Sequence, residues 1–264
     1  MKISMIQMDV QFAKPDWNFE HAAEMVRRAV QERPDGAKPD VVTLPETFNV
    51  GFFPKENLQG LSDRDGQRTK QVFGSLAKDL GVNIIAGSVA NLKDGGIHNT
   101  CYIFNRSGEV TAAYDKTHLF SPMGEHEYFS KGQKLVTFKL DDVSCGIIIC
   151  YDIRFVELVR TLALRTIDAL FVVAQWPKIR IPHWQILNRA RAIENQMFVC
   201  CTNSCAVAGE VKYGGHSALI SPWGEVLAEG GEEEEIIHGE LDLSIVKGIR
   251  ESINVYRDRR PDLY

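Results

Sequence analysis

In residues 145–160, CGIIICYDIRFVELVR, the chain changes from one hydrophobic pattern to another. Residues 145–149 form a short, apolar and β-branched run, which predicts a buried strand. Beyond it, apolar residues recur at helical intervals and predict a helix: Val156, Val159, Leu162 and Ala163. Cys150 therefore lies at a strand-to-helix turn, where free backbone N–H groups and the positive end of a helix dipole favour a thiolate.

A cysteine at the end of an apolar strand is often an inert buried residue, and we expect this of Cys145. Cys150 differs because two other predicted strands end in charged side chains. Glu46 follows the apolar run 40–44 and a proline, and Lys116 follows the strand 110–114. A thiol, a carboxylate and an ammonium at neighbouring strand ends are the groups that hydrolysis of a carbon–nitrogen bond requires.

Composition excludes several classes of protein. The 264 residues, 44% hydrophobic and 25% charged, are typical of one globular domain, here residues 1–264. The net charge of −5, without a basic cluster, argues against nucleic acid as a partner. No apolar run approaches the roughly 18 residues of a membrane span, and residues 1–10 resemble a first strand more than a signal peptide. We expect a cytoplasmic protein that does not bind a membrane.

The six cysteines lack paired CxxC spacing, so reduced thiols are expected in place of disulfides. Cys201, Cys205 and His216 have poor spacing for a metal site. The sequence therefore predicts no metal and no cofactor.

Predicted strands and helices alternate in the first two thirds, and hairpins dominate the last third, which indicates a layered α/β domain. Asn18 is the predicted cap of the first helix, and a later amphipathic helix is expected to stop near Gly81. Residues 232–235 are expected to form a solvated turn. The tail, residues 248–264, is polar and irregular in pattern but carries two tyrosines, Tyr256 and Tyr264.

These segments together resemble the nitrilase superfamily of carbon–nitrogen hydrolases, which use a Glu-Lys-Cys triad. The matching motifs follow the family order along nearly the whole chain: Leu44-Pro-Glu-Thr-Phe48, Tyr114-Asp-Lys-Thr-His-Leu-Phe120, Gly146-Ile-Ile-Ile-Cys-Tyr-Asp-Ile-Arg-Phe155, Trp176-Pro with Arg180 and His183-Trp184, Ala190-Arg-Ala-Ile-Glu-Asn195 and Arg259-Arg-Pro-Asp-Leu-Tyr264. Val156 departs from the proline of many relatives, at a first-turn helix position where proline is not essential.

The resemblance implies a role for each matching residue. Glu46 is the general base, Lys116 the electrostatic stabiliser, Cys150 the nucleophile and Glu125 the family's second glutamate. With Lys116, the backbone N–H of Tyr151 is expected to hold the oxyanion. The resemblance also implies a four-layer α-β-β-α sandwich. It further implies a homodimer, or a higher homo-oligomer, formed through a helix layer, with the helix after Cys150 and the tail 248–264 at the interface.

Four further residues are candidates for binding the substrate: Arg154, Arg180, Trp176 and Phe48. Each has a structural alternative. Arg154 and Asp152 are expected to form an ion pair that anchors the turn, and Arg180 is equally a surface charge. Trp176 and Phe48 either wall the pocket or pack in the core. A Cys-His pair that uses His118, His183 or His216 is disfavoured because the family pattern uses a carboxylate.

The segment 45–52 and the ending 259–264 look most like the ω-amidases, which implies a small-molecule substrate, a monoamide of a short dicarboxylic acid. Arg154 and Arg180 are then the candidates to bind the free carboxylate, with Arg180 the freer of the two. An N-carbamoyl amino acid hydrolase and a nitrilase remain alternatives within the same chemistry. A non-catalytic binding protein or a redox-sensing cysteine protein would belong to other classes.

Overall fold

The structure, a computed structural model, describes residues 1–263. The strands are β1 (Lys2–Gln7), β2 (Val41–Thr43), β3 (Asp63–Arg64), β4 (Asn83–Ile85), β5 (Val89–Lys93), β6 (Gly96–Phe104), β7 (Val110–Asp115), β8 (Thr137–Leu140), β9 (Val143–Ile149), β10 (Ala169–Ala174), β11 (Phe198–Asn203), β12 (Val207–Ala208), β13 (Val211–Lys212), β14 (Ala218–Ile220), β15 (Val226–Glu229) and β16 (Glu235–Glu240). The α-helices are α1 (Pro15–Gln31), α2 (Leu58–Leu61), α3 (Gln67–Leu80), α4 (Val156–Ala163), α5 (Ile181–Asn195) and α6 (Ser244–Ser252).

Two sheets carry most of the strands. The first has the order β16-β1-β2-β4-β6-β5-β3, with β7 also paired to β6, and the second has the order β15-β14-β11-β10-β9-β8. Strands β1, β2 and β4 are parallel, as are β9, β10 and β11. Strand β7 runs in the same direction as β2 and β4, because it is antiparallel to β6, which is antiparallel to β4. The carboxyl ends of these strands therefore lie at the same edge of their sheet.

The side chains of the first sheet alternate between two cores. Met5 and Ile85 belong to the core that the two sheets share, whereas their neighbours Ile6 and Ile84 face α1 and α3. Helix α5 contacts β11 and β14 of the second sheet and also packs on α4. The order of layers is thus helix, sheet, sheet, helix, and the predicted four-layer α-β-β-α sandwich is confirmed.

Two local predictions are wrong. Asn18 does not cap α1, which begins at Pro15; its buried side chain instead bonds the backbone of Gln11 and the carbonyl of Asn49. Part of the predicted irregular tail is α6, whose Val246 and Ile249 are buried although its sequence is mostly polar. The end of α3 before Gly81, which has the left-handed φ of 62°, is as predicted.

The tail is attached to its own chain. The Tyr256 hydroxyl donates a hydrogen bond to the carbonyl of Asn195, and the guanidinium groups of Arg160 and Arg250 lie 5.8 and 5.6 Å from the centre of its ring. The second tail aromatic, Tyr264, lies outside the described residues. Within residues 1–263, no helix is long and apolar enough to cross a membrane.

Phe73 on α3 lies in the core between the first sheet and helices α1 and α3, and we expect a large contribution to stability from its packing there. Its ring is fully buried and lies edge-on to Phe48, with centroids 5.5 Å apart. Truncation by Phe73→Ala should lower the free energy of unfolding by about 3–5 kcal/mol, as measured by urea denaturation. Phe12→Ala, at a ring that is 42% exposed, is the matched control and should cost much less. Equal losses in the two variants would contradict this account of the core.

Candidate active site

Three strand ends meet where the two sheets face each other. Glu46 follows β2, Lys116 follows β7 and Cys150 follows β9. The first two strands belong to one sheet and the third to the other, so the site lies between the sheets. The relative position of the sheets therefore sets the geometry of the site.

Glu46 is held by donors from both sheets. Its backbone N–H donates to the carbonyl of Ala174, the last residue of β10, at 3.4 Å. Its Oε1 accepts from Asn99 Nδ2 at 2.8 Å, and its Oε2 accepts from the backbone N–H of Gln175 at 2.8 Å. The next residue, Thr47, has a φ of 36°, which is strained for a β-branched side chain. The loop is thus kept in an unfavourable conformation that points the carboxylate into the site.

Lys116 lies between two carboxylates. Its Nζ is 2.8 Å from Glu46 Oε1, and 2.9 and 3.0 Å from the two oxygens of Glu125. None of the three side chains has any exposed surface. Glu125 is fixed in turn by the backbone N–H of Phe120, which donates to its Oε2 at 2.5 Å. The ammonium of Lys116 therefore links Glu46 and Glu125, the two glutamates that the sequence analysis predicted at the site.

The charges in this cluster stabilise one another. Burial alone would lower the pKa of Lys116, but the negative charges of Glu125 and Glu46 outweigh it and raise this pKa above its ordinary value. The lysine is therefore an ammonium at any pH of interest. Burial raises the pKa of Glu125; Lys116 lowers it, and Glu46 raises it further. Two carboxylates that share one cation repel each other, which is the cause of this last effect.

Cys150 is only 9% exposed and has a φ of 47°, at the first residue of a 3-10 turn (Cys150–Arg154) that joins β9 to α4. Burial raises the pKa of its thiol well above the ordinary value, and Glu46 raises it further, while Lys116 partly offsets both. The expectation that the turn favours a thiolate is therefore wrong for the resting site. A neutral thiol beside an ionised carboxylate needs that carboxylate to remove its proton.

Asp152 holds the 3-10 turn, but not through the predicted ion pair with Arg154. Its Oδ2 accepts from the Tyr114 hydroxyl at 2.7 Å and from the backbone N–H of Ile149 at 3.0 Å. Its Oδ1 accepts from the backbone N–H of His118 at 3.0 Å. The buried carboxylate thus ties the turn that carries the thiol to the segment that carries Lys116, while Arg154 points elsewhere.

A small, partly open cavity lies over these groups. The residues that line it are Phe52, Lys116, Phe120, Met123, Cys150, Tyr151, Arg154, Gln175, Trp176, Pro177, Arg180 and Tyr213. Four predicted binding or oxyanion residues are among them: Tyr151, Arg154, Trp176 and Arg180. Phe48 is not, because its fully buried ring points to the opposite side of the sheet and packs on Phe73 and Phe19. Phe52, and not Phe48, is the phenylalanine of this loop that lines the cavity.

The two cavity arginines lie against aromatic rings. The guanidinium of Arg154 is 4.8 Å from the ring centre of Trp176, and that of Arg180 is 5.4 Å from the ring centre of Phe120. Arg154 Nη2 also lies 3.3 Å from His183 Nδ1. Within residues 1–263, neither arginine forms an ion pair with a carboxylate, so Arg154 is not held by Asp152. Arg180 is still the freer of the two, because among the described residues its guanidinium contacts only the Phe120 ring, whereas that of Arg154 contacts both Trp176 and His183. Both are available to an anion in the cavity.

The three candidate histidines have other partners. His118 bonds Asp152 at 2.8 Å and stacks on Phe155, with ring centres 3.6 Å apart. His216 bonds Glu229 at 3.0 Å. Since His183 faces Arg154, the described structure pairs Cys150 with a carboxylate and not with an imidazole.

The sequence analysis missed several residues at the site. Asn99, Gln175 and Tyr213 are the polar ones, and Phe52, Phe120 and Met123 are apolar. Gln175 had a usable signal, since it directly follows the apolar strand β10 in the same way that Glu46 and Lys116 follow theirs. Asn99 is a polar residue within a strand, and Tyr213 comes from a hairpin; neither position by itself indicates a site.

The sequence model for carbon-nitrogen hydrolases matches residues 2–251. The chain belongs to this family. The resemblance to the nitrilase superfamily is thus confirmed, and so is the predicted class of hydrolase that acts on carbon–nitrogen bonds.

Individual relatives cover almost the whole chain. It is 41% identical to the 2-oxoglutaramate amidase of Bacillus subtilis, over 99% of this chain and 98% of that protein. It is 34% identical to the human omega-amidase NIT2, over 100% of this chain and 96% of the relative. Among solved structures, Saccharomyces cerevisiae Nit3, of branch 10 of the nitrilase superfamily, superposes with a TM-score of 0.90 at 28% identity, covering 98% of this chain and 96% of Nit3.

Glu46→Gln should produce more thiolate on Cys150, not less. The negative charge of Glu46 raises the pKa of this thiol, so its removal leaves Lys116 as the nearest charge and lowers that pKa. The ultraviolet absorbance of the thiolate should therefore appear at a lower pH in Glu46→Gln than in the wild type, with Cys150→Ser as the blank. A titration that is unchanged, or that moves to higher pH, would contradict the electrostatic account of the cluster.

Proposed function

We propose that this chain is an ω-amidase, a thiol amidohydrolase that releases ammonia from the monoamide of a short dicarboxylic acid. One observation carries the proposal: a single cavity contains Cys150 beside the buried Glu46–Lys116–Glu125 cluster, and also two arginines that have no carboxylate partner within residues 1–263. The first group of residues suits a carboxamide, and the second suits a free carboxylate. A monoamide of a dicarboxylic acid carries both.

The first half-reaction begins at the thiol. Glu46 takes the proton of Cys150 as the sulfur attacks the carbonyl carbon, so that a carbon–sulfur bond forms and the carbonyl electrons move to oxygen. The ammonium of Lys116 stabilises this oxyanion, with the backbone N–H of Tyr151 as the second donor. Contacts of this kind contribute roughly 3–4 kcal/mol to lowering the barrier. Glu125 keeps Lys116 in place and charged.

The first half-reaction ends when Glu46 returns its proton to the nitrogen, the carbon–nitrogen bond breaks and ammonia departs, so that Cys150 carries a thioester. The second half-reaction restores the thiol. Water enters, and Glu46 takes one of its protons while the oxygen attacks the thioester carbon. Breakage of the carbon–sulfur bond and return of the proton give the dicarboxylic acid and the free thiol.

Arg154 and Arg180 orient the substrate. A carboxylate that leaves water for a partly enclosed site loses several kcal/mol unless cations or N–H groups replace its hydration. The planar guanidinium suits a carboxylate because it offers parallel N–H donors. Trp176 and Phe120 restrict the two arginines from one side, which lowers the entropy lost on binding. The relatives named 2-oxoglutaramate amidase and omega-amidase support a substrate such as 2-oxoglutaramate or succinamate.

Other products would indicate the alternatives. Release of carbon dioxide with the ammonia would indicate an N-carbamoyl amino acid hydrolase, and turnover of a nitrile would indicate a nitrilase.

We also propose a cytoplasmic location, supported by six cysteines that are all free thiols, as expected in a reducing compartment.

The substrate assignment predicts a selectivity that depends on the arginines. Wild-type enzyme should prefer succinamate strongly over butyramide, which has the same chain without the carboxylate. Arg154→Leu and Arg180→Leu should each lower kcat/KM for succinamate about 10- to 100-fold, the typical effect of losing a hydrogen bond to a charged group. Both variants should change butyramide hydrolysis little, and ammonia release measures all of these rates.

Cys150→Ala is the control and should release no ammonia from either amide. Equal wild-type rates on succinamate and butyramide would contradict the ω-amidase assignment. Arginine variants that lose activity on both amides alike would show that these residues support the structure and do not bind the carboxylate.

We further propose a homodimer, which is supported by an apolar surface on α5. Ile186 and Ile193 lie one heptad apart on this helix and are 65% and 51% exposed, and Trp223 beside them is 51% exposed. Arg189 Nε bonds the carbonyl of Gly224, which holds the Trp223 turn against α5. A self-complementary apolar patch of this kind suits an isologous contact. The place of the tail 248–264 at the interface stays a prediction.

Sedimentation at micromolar concentration should give twice the 29.7 kDa mass of one chain. Ile186→Asp with Ile193→Asp should shift the protein towards the monomer, because two buried charges would meet their own copies across the two-fold axis. Val110→Asp, on an exposed residue of β7, should leave the mass unchanged. A monomeric wild type would exclude the proposed dimer.

A further inference from the structure

Asn99 on β6 contacts both carboxylates of the cluster and the backbone of Lys116, although no motif includes it. The residue is fully buried. Its Nδ2 donates to Glu46 Oε1 at 2.8 Å and lies 3.5 Å from Glu125 Oε1. Its backbone carbonyl accepts from the backbone N–H of Lys116 at 2.9 Å. One asparagine thus connects both carboxylates and the chain segment of the ammonium.

The orientation of the amide is determined by these neighbours. Asn99 Oδ1 is buried and has no hydrogen-bond partner within residues 1–263. The opposite orientation would place this oxygen against two carboxylate oxygens, none of which has a hydrogen to donate. The side chain therefore leaves its own acceptor unsatisfied in order to direct its donors at the carboxylates. A purely structural amide would be expected to satisfy both of its ends.

The contacts of Glu46 show what the amide supplies. Oε1 accepts hydrogen bonds from Lys116 Nζ and Asn99 Nδ2, whereas Oε2 accepts one from the backbone N–H of Gln175. A neutral donor favours the ionised form of a carboxylate without adding charge to the site. It also fixes the rotation of the carboxylate, because the two oxygens have donors in different directions.

We propose that Asn99 is a positioning residue, which holds the Glu46 carboxylate in the orientation in which it can take the proton of Cys150. This inference rests on the proposed function, because it assigns a role within the same reaction. Asn99 does not touch the reacting atoms and acts through Glu46.

Other titratable groups also face Glu46. Lys116 and Glu125 are in the cluster itself, Cys150 lies beside it, and Tyr213, which lines the cavity, senses the charge of Glu46. All of them remain in an Asn99 variant. A fall in kcat on substitution of Asn99 is therefore assigned to the loss of its donor.

The test is the steady-state kinetics of Asn99→Ala. We expect kcat on succinamate to fall about 10-fold or more, with KM changed less than about threefold, since the donor acts on the orientation of the base and not on the substrate. Asn99→Ser, which keeps a hydroxyl donor in a smaller side chain, should recover part of the lost kcat.

Asn91→Ala is the matched control. Asn91 is an equally buried strand asparagine of the same sheet, whose Nδ2 donates to the Tyr102 hydroxyl at 2.9 Å, away from the cavity. This variant should lose stability without a comparable fall in kcat at temperatures well below its unfolding transition. If Asn99→Ala and Asn91→Ala lower kcat alike, as a general loss of stability would, the positioning role is overturned. Activity equal to the wild type would overturn it as well.

Alkylation of Cys150 by iodoacetamide separates this inference from the proposed function. The reagent needs the thiol proton to be removed but needs no amide turnover. Its rate at a fixed pH should fall in Asn99→Ala and not in Asn91→Ala, and an unchanged rate in Asn99→Ala would overturn the inference. If wild-type protein released ammonia from no amide, the proposed function would fail, while the alkylation rates would still decide the role of Asn99.

Discussion

Lys116 lies between two carboxylates in the interior, and none of the three side chains has any exposed surface. Bringing three charges out of water costs several kcal/mol for each ion, and their attraction offsets that cost only when the geometry is close and other hydrogen bonds satisfy the remaining oxygens. Here a backbone N–H from Gln175, one from Phe120 and the amide of Asn99 supply those bonds. The loops around the site are therefore constrained by a cluster that tolerates no missing member.

This constraint explains why the site lies between the sheets. Glu46 and Lys116 come from one sheet, whereas Cys150 and Gln175 come from the other. Hydrogen bonds join these halves directly. The Glu46 backbone bonds the end of β10, and Asp152 bonds Tyr114 of β7 and the segment that follows this strand. The distance between thiol, base and ammonium thus depends on the packing of whole sheets, which is rigid, more than on the loops themselves.

The sequence predicted the layers and the positions of the charged groups, because both follow from where apolar strands end. Parallel strands place their carboxyl ends at one edge, so Glu46 and Lys116 were found from pattern alone. Phe48 packs in the core against Phe73, which is one of the two alternatives that its position after a strand left open. The role of Asp152 depends on partners from the segment after β7, far away in sequence, and that of Asn99 on a carboxylate 53 residues away. Such contacts cannot be read from local periodicity.

The distribution of charge in the cavity determines which way a substrate enters. The inner end contains two carboxylates, one ammonium and a neutral thiol, and therefore carries a net negative charge. Arg154 and Arg180 place positive charge elsewhere on the cavity wall, without carboxylate partners among the described residues. On the proposed function, an anionic substrate would be repelled by the first group and attracted by the second, which would turn its carboxylate towards the arginines and its uncharged amide towards Cys150. The same charges disfavour a bound product that has become a dicarboxylate, since its new carboxylate then lies beside Glu46, and this repulsion assists release after hydrolysis.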